Sequence, residues 1–265
     1  DRIESRGLGD VYKRQEITGA GWQQARTGMS EEIPLRHWHL NDPGVVPNLL
    51  QTGAGSPTGI TIYEGRLLPK VFWNQILHCD AGPNVVRAYP VTNDGAGYKA
   101  KIENVMTGTR DKWFRPADVC VAPDGSVFVT DWYDPGVGGH GQRDLERGRI
   151  FRIAPPNVNY TIPDHDLESL EGCVEALKSP AGSVRYLAWT RLHEADEKAI
   201  QPLLELTKND DPRMRARAIW LLGKIPASTE MAINMAQKDG DSDIRCVALR
   251  LARQTNHNVI GVCEA

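Results

Sequence analysis

At 265 residues the chain is longer than one typical domain, so two domains are expected. Hydrophobic residues at 40% and charged residues at 25% exclude a disordered polymer. A formal net charge of -3 excludes a global pull toward nucleic acid or an anionic membrane.

The chain opens on Asp1 rather than Met. Residues Asp1–Gln15 (DRIESRGLGDVYKRQ) show neither strand nor helix periodicity and read as a translated adaptor tract, to be left out of the fold. Residues 16–155 are turn-rich. From about residue 45, short β-branched or apolar runs alternate with Gly, Pro, Asn and Asp clusters, the pattern of consecutive strands. Two segments echo each other through three matched runs in order: Ser56–Ile62 parallels Arg115–Val121, Gln75–Asp80 parallels Val127–Asp131, and Val85–Tyr89 parallels Arg149–Ile153. Pro123-Asp124-Gly125 reads as the turn joining the first two strands of the second set. Three or four strands per set is the size of one propeller blade. Two clear blades, with part of a third before residue 45, are too few for a ring of at least about four. The expectation is therefore an incomplete propeller, represented by its C-terminal blades.

Residues 156–166 read as a linker and 167–265 as helical repeats. Val184-Arg185-Tyr186-Leu187-Ala188, Met214-Arg215-Ala216-Arg217-Ala218 and Ile244-Arg245-Cys246-Val247-Ala248 recur at a spacing of 30 residues. Each block follows a short polar turn and continues with apolar residues at helical spacing. A helix pair of this length cannot bury its apolar face alone, so neighbouring pairs must stack. The D-x-x-V-R-x-x-A pattern resembles HEAT-type repeats over about residues 167–254. The recurring Arg185, Arg215 and Arg245 suggest either an anion-binding ridge or arginines that bond neighbouring turn carboxylates and pack their stems on the next helix. The fold class expected is mixed and two-domain: a partial β-propeller (C-terminal blades) followed by an α-helical HEAT-like solenoid.

Chemistry-bearing residues are few. Cys79, Cys120, Cys173, Cys246 and Cys263 are too widely spaced for a zinc site or a haem attachment run. No run of about 18 apolar residues is present to span a bilayer. His78-Cys79-Asp80, at a strand end, has no third partner for a triad or ligand set and reads as structural. Asp131-Trp132-Tyr133-Asp134, with His140 and Asp144, is the densest polar cluster, set on a Gly-rich loop. Three readings stay open for it: a calcium site from carboxylates and loop carbonyls, a ligand-binding rim with Trp132 and Tyr133 as stacking platform, or turn-capping that orders the loop. Arg115, at the start of an innermost strand, either holds a carboxylate bidentately or pairs with Asp118 or a neighbouring blade.

The blocks Ser56-Pro57-Thr58-Gly59-Ile60, His78-Cys79-Asp80-Ala81-Gly82-Pro83-Asn84-Val85-Val86-Arg87 and Trp113-Phe114-Arg115-Pro116-Ala117-Asp118-Val119 carry a family resemblance. So do Ala122-Pro123-Asp124-Gly125-Ser126, the stretch Asp131-Trp132-Tyr133-Asp134-Pro135-Gly136-Val137-Gly138-Gly139-His140, and Asp144-Leu145-Glu146-Arg147-Gly148-Arg149-Ile150. Over about residues 45–254 the chain resembles the membrane-bound dehydrogenase-like proteins of planctomycetes and verrucomicrobia, bacterial relatives of the glucose/sorbosone dehydrogenase propellers. The resemblance implies a six-bladed propeller followed by HEAT-like helices. It implies pyrroloquinoline quinone and calcium as cofactors of the full-length protein, a sugar or alcohol as substrate, and a periplasmic or membrane-attached, extracytoplasmic location. Arg115 and Asp118 fall on the first Arg and the Asp of an Arg-x-Arg-Asp-Val run that contacts the quinone, whereas Ala117 replaces its second Arg. Asp131, Trp132, Tyr133, Asp134 and His140 are the implied substrate rim. The catalytic His belongs to blades preceding this chain, so the fragment itself is expected to be inactive. The helical repeats would take an electron acceptor or another protein partner. The alternative is a non-catalytic carbohydrate- or protein-binding module, which Ala117 favours.

Overall fold

The structure, a computed structural model, describes residues 49, 50, 52, 56–95, 97–135 and 146–264. The tract Asp1–Gln15, any strands before residue 45, and His140 and Asp144 lie outside the described residues. Among the described residues nine strands come first and seven α-helices follow.

The strands are β1 (Pro57–Tyr63), β2 (Gln75–Asp80), β3 (Val85–Tyr89), β4 (Val91–Asp94), β5 (Gly97–Ala100), β6 (Glu103–Thr107), β7 (Pro116–Val121), β8 (Val127–Asp131) and β9 (Arg149–Ile153). They make a four-stranded sheet in the order β1-β2-β3-β6, a three-stranded sheet β7-β8-β9, and a two-stranded hairpin β4-β5. The three matched pairs of runs thus take matching places, β1-β2-β3 in one sheet and β7-β8-β9 in another. β2 and β3 pair antiparallel, with Leu77 opposite Ala88 and Cys79 opposite Val86, all four fully buried. β3 then pairs with β6 across a register shift at Val86/Arg87. The β4-β5 hairpin, which sequence periodicity did not reveal, is mostly exposed, and its turn carries Gly95 at a φ of +59°.

The described chain divides into two compact units. The first holds the described part of Asp1–Ile62 with Gln75–Val119 and Val129–Phe151. Its strands β1 and β7 approach closely: Thr58 Oγ donates to the Pro116 carbonyl at 2.7 Å, and a Cβ on Gly59 would collide with Asp118. The second unit holds Tyr63–Asn74, Cys120–Phe128 and Arg152–Ala265. Here the fully buried Tyr63 hydroxyl donates to the Gly125 carbonyl and accepts from the Leu68 amide, both at 2.8 Å. The turn at Pro123-Asp124-Gly125 needs Gly125 at a φ of +84°, and Asp124 caps it by accepting from the Ser126 amide.

The helices of the second unit are α1 (Leu170–Ala176), α2 (Gly182–Glu194), α3 (Ile200–Leu206), α4 (Pro212–Leu222), α5 (Thr229–Gln237), α6 (Ser242–Gln254) and α7 (Val259–Glu264). Ser169, Asp211 and Asp241 cap α1, α4 and α6 through their side chains. Leu192, Leu203, Leu221, Leu222 and Leu251 are fully or almost fully buried in one apolar cluster, as stacked repeats require. The recurring arginine has one job in all three repeats. Nη1 of Arg185 donates to the Ser179 and Pro180 carbonyls, that of Arg215 to Asn209 and Asp210, and that of Arg245 to Asp239 and Gly240. Arg215 also reaches the next turn's carboxylate, Asp239, at 2.8 Å and holds it below the ordinary carboxylate range. The equivalent position one repeat earlier is Asn209, and Arg185 turns instead to Glu64 at 2.9 Å. The arginines are therefore fasteners between turns, satisfying carbonyls that helix ends leave bare.

Candidate functional site

Strand alternation puts Val127, Val129 and Asp131 on one buried face of β8, so a carboxylate arrives where two valines would suggest a third apolar side chain. Asp131 Oδ1 accepts from the Arg115 amide at 2.7 Å and the Tyr133 amide at 2.9 Å. Its Oδ2 accepts from Arg149 Nε at 2.7 Å, with Arg149 Nη2 in ion-pair range at 2.6 Å. Arg149 Nη1 pairs with Asp111 at 2.7 Å, and its guanidinium lies 4.1 Å from the centre of the Tyr133 ring. Burial would lower the Arg149 pKa, but the two carboxylates outweigh it and raise it; reciprocally, Arg149 holds Asp111 low. Asp131, with a side chain wholly out of solvent, has its roughly four lone-pair sites faced by four nitrogens. It organises the loop, fixing Tyr133 at a φ of +55°.

Arg115 lies one residue before β7 and is only 8% exposed. Its carbonyl accepts from the Trp132 amide at 2.9 Å. Nη1 donates to the Phe114 carbonyl at 3.3 Å and Nη2 to the Pro135 carbonyl at 3.1 Å, while buried Nε has no partner. No ion pair joins it to Asp118, whose exposed carboxylate accepts from the Val119 amide. Among the described residues this buried guanidinium is held by carbonyls and faces no carboxylate.

Two aromatic side chains, Trp132 and Tyr133, follow the strand beside it. Trp132 is 56% exposed, and its Nε1 donates to Asp134 Oδ2 at 3.3 Å. Asp134 is buried, and its amide donates to the Trp113 carbonyl. Tyr133 tilts against Trp113 with ring centres 5.5 Å apart. Trp132, Tyr133 and Asp134 lie together beside Arg115, whereas His140 lies outside the described residues. Sequence reasoning overlooked Arg149, Asp111 and Trp113 as parts of this site. Arg149 and Trp113 stood within quoted blocks, but Asp111 gave no signal. Among the described residues no three of His, Cys, Asp and Glu converge as a metal site would need.

His78-Cys79-Asp80 is engaged in packing. His78 Nδ1 lies 3.1 Å from the Tyr89 hydroxyl, and Asp80 accepts from the Ser56 amide at 2.7 Å and pairs with Arg87 at 3.2 Å. Burial and, less, the Asp118 charge push the Cys79 thiol up to about 12, so it carries no nucleophilic thiolate at neutral pH. In the folded protein, iodoacetamide at pH 8 is expected to spare Cys79 and alkylate the exposed Cys246 and Cys263, read by peptide mass spectrometry. Native-state labelling of Cys79 as fast as of Cys246 would contradict this.

Residues 14–157, just over half of the chain, match the family described as "Domain of unknown function (DUF7133)". Residues 170–253 match HEAT repeats. No curated protein sequence matches the chain. A solved structure from Thermus thermophilus, provisionally named an oxidoreductase (glucose dehydrogenase), is similar at 18% identity and a TM-score of 0.31. That similarity covers 42% of this chain and 29% of the Thermus chain, so this chain spans less than a third of that structure.

Proposed function

The chain belongs to the family described as a domain of unknown function (DUF7133), and we propose that its strand-rich part supplies blades of a glucose/sorbosone dehydrogenase-type propeller whose Trp132 rim takes a sugar or sugar alcohol. The observation that carries the ligand class is the Trp132 indole, exposed yet held in place by Asp134. A fixed, exposed ring offers the apolar face of a pyranose a platform at low entropic cost. The propeller reading is supported by the matched strand order of the two sheets. It is supported also by Ile60, Ile62 and Ile150, exposed at 63%, 55% and 71% on β1 and β9, where adjacent blades would cover them.

A carboxylated quinone fits the site at one point. Arg115, with its buried and unpartnered Nε, would hold one carboxylate, and the exposed Asp118 stands three residues further on, in β7. Such a quinone, when bound, accepts the hydride removed from the carbon bearing the substrate hydroxyl. Calcium does not fit Asp131, whose oxygens are already faced by nitrogen donors, and no step is routed through it. The chain's own residues bind and orient: Arg115 an anion, Trp132 a ring, Asp134 the indole. The proton-accepting base is assigned to no residue of this chain. The extracytoplasmic location, and the helical array as seat for an electron acceptor, belong to the same proposal; no helix among the described residues is long and apolar enough to cross a membrane.

Titration calorimetry of the chain with a panel of hexoses and sugar alcohols tests the rim. Saturable binding is expected, weakened roughly tenfold or more by Trp132→Ala and less by Trp132→Phe. Absence of saturable sugar binding, or indifference to Trp132→Ala, would sink it. A non-catalytic sugar-binding module is the second reading, favoured by Ala117 and by the saturated Asp131. Sugar-dependent dye reduction by the longer parent with quinone and calcium supports the dehydrogenase, and sugar binding without it supports the module.

A further inference from the structure

We propose that a cavity of about 480 Å³ in the second unit, lined by Arg66, Lys178, Arg213 and Arg217, binds phosphate, either as the free ion or as a small phosphate ester. All of its lining residues lie within that one unit. Its volume falls within the roughly 300–1,000 Å³ of ligand pockets.

Four cationic side chains line the cavity against two carboxylates, Glu64 and Asp124, and both carboxylates are already committed. Glu64 pairs with Arg217 at 2.5 Å and Arg185 at 2.9 Å, with Arg213 further off at 3.9 Å. Asp124 pairs with Arg152 at 3.0 Å and accepts from the Ser126 hydroxyl at 2.6 Å. Two of the four cations have carboxylate partners just outside the lining, Arg213 with Asp211 and Lys178 with Glu175, both at 2.6 Å. With these and with Arg152 and Arg185 counted, six cations face four carboxylates. The surplus of two positive charges is one that a phosphate dianion neutralises and a single carboxylate does not. Arg217 feels the shortage most. Burial pulls its pKa down, Arg185 and Arg213 add to that, and Glu64 only partly opposes them. Arg66 and Lys178 are exposed at the mouth, and guanidinium forks match phosphate oxygens bidentately. Nothing in the sequence pointed here, because the cavity combines a strand connection, a turn and two helical repeats.

The test uses the full chain in thermal unfolding and calorimetry, with inorganic phosphate and glycerol 3-phosphate as probes at constant ionic strength set by sodium chloride. A saturable rise in the unfolding midpoint is expected with at least one probe; the tighter of the two tells free ion from ester. The double variant Arg66→Gln/Lys178→Gln, altering exposed side chains whose loss leaves the core intact, is expected to bind roughly tenfold more weakly. Arg253→Gln, an exposed arginine of α6 away from the cavity, is expected to bind as the unaltered chain does. No saturable effect with either probe, or equal binding by the double variant, would overturn the proposal.

Discussion

Replacing Asp131 by Ala is expected to lower the unfolding free energy by roughly 3–5 kcal/mol, the range for removing one partner of a buried ion pair. The change strands three groups at once. Arg149 loses its 2.6 Å partner and keeps only the half-exposed Asp111, while the amides of Arg115 and Tyr133 lose the single oxygen that accepts from both. Each unsatisfied buried donor costs about 1–3 kcal/mol. Asp131→Asn is expected to lose less, because its amide oxygen still accepts from the two backbone N–H groups while only the charge pairing is lost. Denaturant titration followed by tryptophan fluorescence measures both, since Trp113 and Trp132 flank the hub. A loss below about 1 kcal/mol for Asp131→Ala, the scale of an exposed pair, would show that Asp131 does not organise this loop. The same variant should weaken sugar binding at the rim, because Asp131 sets the backbone that carries Trp132 and Tyr133.

Gly59→Ala is expected to destabilise at the upper end of the roughly 1–3 kcal/mol that overpacking costs. A methyl group at this position meets Asp118 Cα and Oδ1 and lies 2.9 Å from the Val119 amide nitrogen. Two of those three atoms are backbone, so no rotamer change relieves the clash and β1 and β7 must part. Gly240→Ala is the matched control: its added methyl meets nothing within 4 Å, and a near-neutral effect is expected. Chemical denaturation of the two variants side by side decides the matter, and equal stabilities would mean that β1 and β7 do not approach as closely as described. The loss is expected to extend to Arg115, one residue before the strand that Gly59 abuts.

Much of this architecture was legible in the residues. Gly and Pro punctuation marked β1, β2 and β3 and their echoes β7, β8 and β9, because turn chemistry is local and strand alternation has a short period. The 30-residue recurrence marked the helices for a similar reason: each repeat is one local unit pressed against its neighbour. The β4-β5 hairpin escaped, since a mostly exposed pair of four-residue strands leaves no alternation of apolar and polar side chains to detect. Trp132, Tyr133 and Asp134 could be grouped because they are consecutive.

What adjacency in the chain did not supply was the assignment of partners. Asp131 stood out as polar, yet whether it faced a ligand or a neighbour depended on Arg149, 18 residues on, and on the Arg115 amide, 16 residues back. Glu64 drew no notice in a strand connection, and its place opposite Arg217, 153 residues away, makes the cationic cavity what it is. Periodicity and turn preference act over a few residues and are written where they act. A charge's counter-charge is fixed by which strands pair and which helices stack, and so it appears only once the chain has closed on itself.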